Sequence, residues 1–145
     1  MTSINHPKNG EIKMPLLIDH IDAIARKKGR DVLYVVFDSS DDFEYEDFPE
    51  RKKLIKWLED NHIDYCKCAP IASENGFESY NGQLYLDVCY DENDPVYIKL
   101  RDYLENPDGS PRIPGIAFWY LPLEVAMQNK HHDEPGFWEK WAKDF

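Results

Sequence analysis

Residues 31–38 read DVLYVVFD, and this stretch decides the fold. Between its two aspartates lie only leucine, β-branched and aromatic side chains, which favour a β-strand. Such a strand would be apolar on both faces, with Val32, Tyr34 and Val36 on one face and Leu33, Val35 and Phe37 on the other. Because a strand of this kind needs cover on both faces, residues 32–37 are predicted to lie at the centre of a sheet.

On either side of this strand, segments in which apolar residues have a helical spacing alternate with segments in which they have a strand spacing. The predicted helices span residues 15–29, 47–62, 94–106 and 137–145, and the other predicted strands span residues 63–70, 83–91 and 116–125. After the first helix the order is β-α-β-β-α-β, which is typical of the ferredoxin-like split β-α-β sheet. We therefore predict an α/β (α+β) fold with the strand order 4-1-3-2, an extra N-terminal helix and a short C-terminal helix. Pro122 favours an edge position for the last strand. A thioredoxin-like or other α/β arrangement is the main alternative.

The length and composition predict one domain in a reducing compartment. A chain of 145 residues fits a single domain over residues 14–145, preceded by a polar tail over residues 1–13. No apolar run approaches the roughly 20 residues that a membrane helix needs. The first residues lack the apolar segment of a signal peptide. The three cysteines are an odd number, which suits the cytoplasm better than a disulfide framework.

The charge narrows the classes of partner. The formal net charge is −11, with 28 acidic against 17 basic residues. Such a balance repels nucleic acid and anionic membranes, so neither is expected as a partner. It favours solubility and, if the chain has a partner, a basic protein.

An acidic loop follows the central strand. In the predicted topology this loop shares one rim of the sheet with residues 70–82 and 106–114. The rim combines carboxylates with aromatic rings, a mixture typical of protein interfaces. The predicted partner-binding residues are Asp41, Asp42, Phe43, Glu44, Tyr45, Glu46, Phe77, Glu78 and Tyr80. The alternative is that the loop is only a solvated surface.

The same loop offers a metal alternative. Asp38, Asp41 and Asp42 in DSSDD at the strand end are oxygen ligands that suit magnesium. The stretch YVVFDSSDD, with the helix after it, is similar to the first strand and helix of a family of small CRISPR-associated proteins. That resemblance implies a ferredoxin-like dimer and, for some members, metal-dependent nuclease activity. The strong negative charge of this chain argues against nucleic-acid binding.

Other chemistry has weak support in the sequence. Cys66 and Cys68 would share a strand face near Cys89, but this spacing is a poor zinc signature and buried cysteine is common. The sequence 131–133, His-His-Asp, is predicted to be a polar loop. The sequence lacks the common nucleotide-binding, serine-hydrolase and zinc-protease motifs. We therefore expect no cofactor, and the sequence favours a binding protein over an enzyme.

The leading hypothesis from the sequence is an acidic cytoplasmic module that binds a basic protein. Its most concrete form is an immunity or inhibitor protein that neutralises a nuclease toxin, with imitation of nucleic-acid charge as one route. A metal-dependent phosphodiesterase or nuclease is the first alternative. A structural scaffold is the second, in which the face carrying Tyr85, Asp87 and Cys89 meets another copy, so a homodimer is compatible with the sequence.

Overall fold

The described part of the chain is a mixture of helices and strands built on a four-stranded antiparallel sheet. The computed structural model describes residues 18–37, 47–72, 80 and 82–143. The helices are α1 (Ile21–Lys28), α2 (Pro49–Asp60), α3 (Pro95–Leu104), α4 (Leu123–Ala126), a 3₁₀ helix (Met127–Asp133) and α5 (Phe137–Lys143). The strands are β1 (Val32–Phe37), β2 (Tyr65–Lys67), β3 (Leu84–Leu86) and β4 (Ile116–Leu121).

Strand β1 lies inside the sheet, as its apolar sequence predicted. The order is β2-β3-β1-β4, so the strand neighbours are those of the predicted order. Each neighbouring pair is antiparallel, with Leu33 opposite Leu86 and Phe37 opposite Ile116. This register brings the end of β1 and the start of β4 to one rim of the sheet, and the start of β1 and the end of β4 to the other.

Two groups of buried side chains lie on opposite faces of the sheet. On one face, α2 and α3 bury their apolar stripes against alternate residues of the strands. On the other face, α1 and Ala126 pack against Val32, Tyr85 and Leu121. Alternation along each strand divides the side chains between the two faces, because successive residues of a strand point in opposite directions. The apolar character of both faces of β1 follows from this double cover.

Local sequence signals fix several helix ends. Gly29 ends α1 in the left-handed conformation with φ 67°, which glycine adopts without steric cost. Asp94 caps α3, where its carboxylate accepts a hydrogen bond from the Val96 N–H. The second helix, predicted to begin at residue 47, begins at Pro49, and Phe48 precedes its first turn.

The predicted first helix was too long at its start. Residues 18–20 are not helical, and His20 is the residue that precedes α1. Its backbone bridges to Ala69, and the Ile21 N–H donates to the Ala69 carbonyl at 2.9 Å. These contacts hold the segment extended, which no local pattern indicated.

Three predicted strands are shorter than expected, and β2 covers only Tyr65–Lys67 of the predicted range 63–70. The chain turns directly after β3, where the Val88 N–H donates to the Leu86 carbonyl at 2.8 Å. Strand β4 ends at Leu121, and Pro122 accepts hydrogen bonds from two amides of α4. Proline has no N–H to offer a strand ladder but fits a helix start, so the helix replaces the strand there.

The predicted polar loop at 131–133 is also wrong. These residues belong to the 3₁₀ helix, and His132 is buried with its ring centroid 4.8 Å from that of Phe137 and 4.7 Å from that of Trp138. Helix α5 therefore packs aromatic side chains around His132. Within the described ranges, every helix is too short or too polar to span a lipid bilayer.

Candidate protein-binding surface

Most of the predicted rim lies outside the described part of the chain. The predicted site residues that lie outside the described part of the chain are Asp38, Asp41, Asp42, Phe43, Glu44, Tyr45, Glu46, Phe77 and Glu78. Both the predicted partner-binding loop and the alternative magnesium site therefore stay predictions.

Tyr80 is the predicted site residue that the structure describes. Its hydroxyl accepts a hydrogen bond from Arg51 Nη2 at 3.2 Å, and the Lys67 ammonium lies 5.9 Å from its ring centroid. Arg51 is buried, donates from Nε to the Gly82 carbonyl at 3.0 Å, and lies 5.8 Å from the ring centroid of Phe37. The base of the predicted rim thus holds a buried cation that ties α2 to the segment before β3.

Sequence reasoning did not identify Arg51 as a residue of the rim. Its position in the first turn of α2, directly after the acidic run, was visible in the sequence. Its burial was not, because the hydrogen-bonding partners lie about 30 residues further along the chain: Tyr80 and Gly82 are separated from Arg51 by 29 and 31 positions.

A second group of aromatic and acidic residues lies at the opposite rim. Tyr90 follows β3, Tyr97 lies in α3 and Tyr120 lies near the end of β4. The ring centroids are 4.7 Å apart for Tyr90 and Tyr120 and 5.2 Å apart for Tyr90 and Tyr97. Tyr97 is buried, whereas Tyr120 is 47% exposed. We call Tyr90, Tyr97 and Tyr120 the tyrosine surface.

Negative charge surrounds the tyrosine surface. Burial raises the pKa of the Tyr90 phenol, and the charges of Glu92, Asp31 and Glu105 raise it further. Burial likewise raises the pKa of the Tyr97 phenol, again with a contribution from Glu105. The three carboxylates therefore impose a negative potential on these rings, which keeps the phenols neutral and attracts cations.

Aromatic rings in a negative potential suit lysine and arginine side chains. The face of a tyrosine ring attracts a cation within about 6 Å of its centroid. Arg101 of this chain already lies 5.9 Å from the centroid of Tyr97. Tyr120, whose ring contacts Tyr90, offers an exposed ring to a cation from outside the chain.

The sequence showed these tyrosines but not their grouping. Tyr90 lies in the predicted strand 83–91 and Tyr97 in the predicted helix 94–106, and both pack against the core that α2 and α3 cover. The adjacent pair Asp91-Glu92 was the signal that could have marked the surface. The approach of Tyr120 depends on the turn after β3, which brings Tyr90 back toward β4.

The polar cluster proposed for a scaffold interface is satisfied within the chain. Asp87 accepts hydrogen bonds from Tyr85 Oη at 2.8 Å and Arg30 Nη2 at 2.7 Å, and Lys28 Nζ lies 3.4 Å from the same oxygen. Burial acts to raise the pKa of Asp87, but the Tyr85 hydrogen bond and the two cations outweigh it and lower the pKa. Burial raises the pKa of Tyr85 strongly. This cluster connects α1 to β3.

The cysteine and histidine side chains take part in no group that could hold a metal ion in the described ranges. Cys68 is buried beneath α1, and burial raises the pKa of its thiol far above the usual range, which makes it a weak nucleophile. Within the described ranges, no three His, Cys, Asp or Glu side chains are grouped to hold a metal ion.

Comparisons with protein-family models, with curated proteins and with solved structures find no match to this chain.

Proposed function

We propose that this chain is a single-domain cytoplasmic protein of ferredoxin-like fold that acts by binding a basic protein. In its most concrete form it is an immunity or inhibitor protein that neutralises a nuclease toxin, with imitation of nucleic-acid charge as one route. The observation that carries the proposal is the tyrosine surface, where the exposed ring of Tyr120 contacts Tyr90, a ring on which the charges of Glu92, Asp31 and Glu105 act. The ferredoxin-like assignment is supported by the element order from β1 to β4 and by the antiparallel strand neighbours.

Two physical effects make this surface suitable for a basic partner. Tyrosine is enriched among the residues that dominate binding energy, because it supplies a large contact area with few rotatable bonds. The negative potential around the rings, added to the net charge of −11, accelerates encounter with a positively charged surface. The predicted acids of residues 41–46 at the other rim would extend the attraction over a larger part of the molecule.

The test begins with recovery of a partner on the immobilised chain and continues with association kinetics at several salt concentrations. Tyr120→Ser is expected to accelerate dissociation by about tenfold or more, as for an interface anchor of about 1.4 kcal/mol or more. Glu92→Gln is expected to slow association and to weaken its salt dependence, because long-range attraction is screened by salt.

The matched control is Glu139→Gln, which makes the same change of charge on an exposed residue of α5. It should leave association nearly unchanged. Recovery of an acidic partner, or equal effects of Glu92→Gln and Glu139→Gln, would contradict the proposal.

The predicted loop is tested separately. Replacing Asp41, Asp42, Glu44 and Glu46 with Asn or Gln should leave stability unchanged or slightly raised, since repulsion between like charges falls. Association with the same partner should be slower. A variant that unfolds would make these acids structural, and unchanged kinetics would leave the loop merely solvated.

A further inference from the structure

Strand β4 has an outer edge with which no described element pairs. It is the last strand in the sheet order and pairs with β1 alone in the described ranges. The stretch Ile116–Leu121 reads IAFWYL and contains neither a charged residue nor a proline. A long, uncharged edge presents unpaired N–H and C=O groups to any extended chain, and proteins usually protect such edges with lysine, proline or a bulge.

The exposed side chains of β4 lie on both faces of this edge. Trp119 is 55% exposed and Tyr120 is 47% exposed. Trp119 is opposite Tyr34, on the face that α1 covers in part, whereas Tyr120 contacts Tyr90 on the face that α3 covers. A strand added to this edge would place its alternating side chains beside Trp119 on one face and beside the tyrosine surface on the other.

We propose that β4 binds an extended, basic segment of the partner as a fifth strand of the sheet. Main-chain hydrogen bonds would hold the segment at the edge, and its lysine or arginine side chains would reach the rings of Tyr120 and Tyr90. This inference rests on the proposed function and adds to it the conformation and position of the bound segment.

Charge favours a basic segment over a second copy of this chain. Pairing of two β4 strands would bring together two molecules that each carry a net charge of −11. Like charges oppose such association, whereas a cationic segment is attracted by the same field. The charges of Glu92 and Asp31 act on the Tyr90 phenol, and Tyr90 contacts Tyr120 of β4.

The experiment measures amide hydrogen exchange of β4 by NMR with a defined probe. The probe is an eight-residue peptide of alternating lysine and valine. One control peptide has glutamate for lysine. The other has proline for valine, which keeps the charge and an extended backbone but cannot enter a strand ladder.

In the free protein, those β4 amides that do not donate to β1 should exchange rapidly. Saturation with the lysine–valine peptide should slow their exchange by more than about tenfold. The glutamate and proline peptides should leave their exchange unchanged. Trp119→Lys, which puts a charge on the edge, should weaken the protection by the lysine–valine peptide, while Glu139→Gln should not.

The other outcomes would indicate a different ligand at the β4 edge or a different way of binding. Resonance shifts at Tyr90 and Tyr120 without protection of β4 would overturn strand addition and leave the proposed function intact. If the glutamate peptide protects the β4 amides equally well, the bound segment need not be basic. The proposal that negative charge selects a basic partner would then also be wrong. If the outer amides of β4 are already protected from exchange in the free protein, the inference is overturned. Protection that rises with protein concentration would indicate that a second copy of the chain covers the edge. Protection that does not depend on concentration would indicate that a segment of the same chain covers it.

Discussion

The buried carboxylate of Asp22 provides the sharpest test of how this fold is held together. Asp22 is fully buried in α1 and accepts three hydrogen bonds, from Ala72 N at 3.0 Å, Arg26 Nη1 at 3.0 Å and Asn129 Nδ2 at 2.9 Å. Burial acts to raise the pKa of Asp22, but the three donors outweigh it and lower the pKa. Asp22 therefore links α1 to the segment after β2 and to the 3₁₀ helix.

Asp22→Asn keeps the shape of the side chain but replaces one acceptor oxygen with a donor that faces another donor. Removing one partner of a buried ion pair costs about 3 to 5 kcal/mol. Arg26 retains two hydrogen bonds to Asp133, at 2.7 and 2.8 Å, and one to the Ala126 carbonyl, at 3.0 Å, so it is not left alone. We therefore expect a loss near the lower end, about 3 kcal/mol, or a fall in Tm of about 6 to 12 °C for a chain of this size.

The assay is thermal and urea unfolding followed by circular dichroism, with Asp60→Asn as the matched control. Lys56 and Asp60 have the same four-residue spacing as Asp22 and Arg26 and a separation of 3.2 Å, but their side chains are 77% and 61% exposed. An exposed pair of this kind contributes about 0.5 kcal/mol or less. If the two variants lose the same stability, burial does not determine the strength of the Asp22 interactions and the reasoning is wrong.

Three further outcomes are expected. Burial and the hydrogen bond to Glu59 raise the pKa of Tyr65 from 10.0 to about 12, so its contribution to stability is complete below pH 10 and is lost as the pH rises through 12. In urea titrations, the free energy of unfolding should therefore fall less between pH 10 and pH 12 for Tyr65→Phe than for the wild type. Asp94→Ala removes the acceptor of the Val96 N–H and should cost about 1 kcal/mol in the same titrations at neutral pH, whereas Asp94→Asn should recover most of it. If the loop after β1 binds magnesium, millimolar magnesium should raise Tm by mass action and Asp38→Asn should remove that rise; a wild-type Tm that magnesium does not change would count against the phosphodiesterase alternative.

The positions of the main strands could be predicted because each depends on a short local pattern. The apolar faces of residues 32–37 required cover on both sides, which only a central strand receives. The alternation from Leu84 to Tyr90 correctly divided that stretch between the two faces of the sheet. Glycine after α1 and aspartate before α3 marked two helix ends through their own backbone and side-chain chemistry.

The lengths of the edge elements depended on contacts that the local patterns do not contain. The stretch after Leu121 was apolar enough to continue a strand, but Pro122 starts a helix that packs against α1 through Ala126. The polar appearance of residues 131–133 concealed the burial of His132, which depends on the rings of α5. The tyrosine surface also depends on contacts between distant segments, since Tyr90 and Tyr120 are 30 positions apart and meet only through the turn after β3.

By itself, then, the sequence determined the approximate positions of the four strands and of α1, α2, α3 and α5, the central place of β1 and the strong negative charge. The tertiary structure alone decided which polar groups are buried and which rings meet. Asp22 illustrates the physical reason. In the sequence it is an ordinary acid in the first turn of a helix, and its donors Ala72 and Asn129 are 50 and 107 positions away. Periodicity records which side of a helix is apolar, but the partners that make a buried charge stable come from distant segments that only folding brings together.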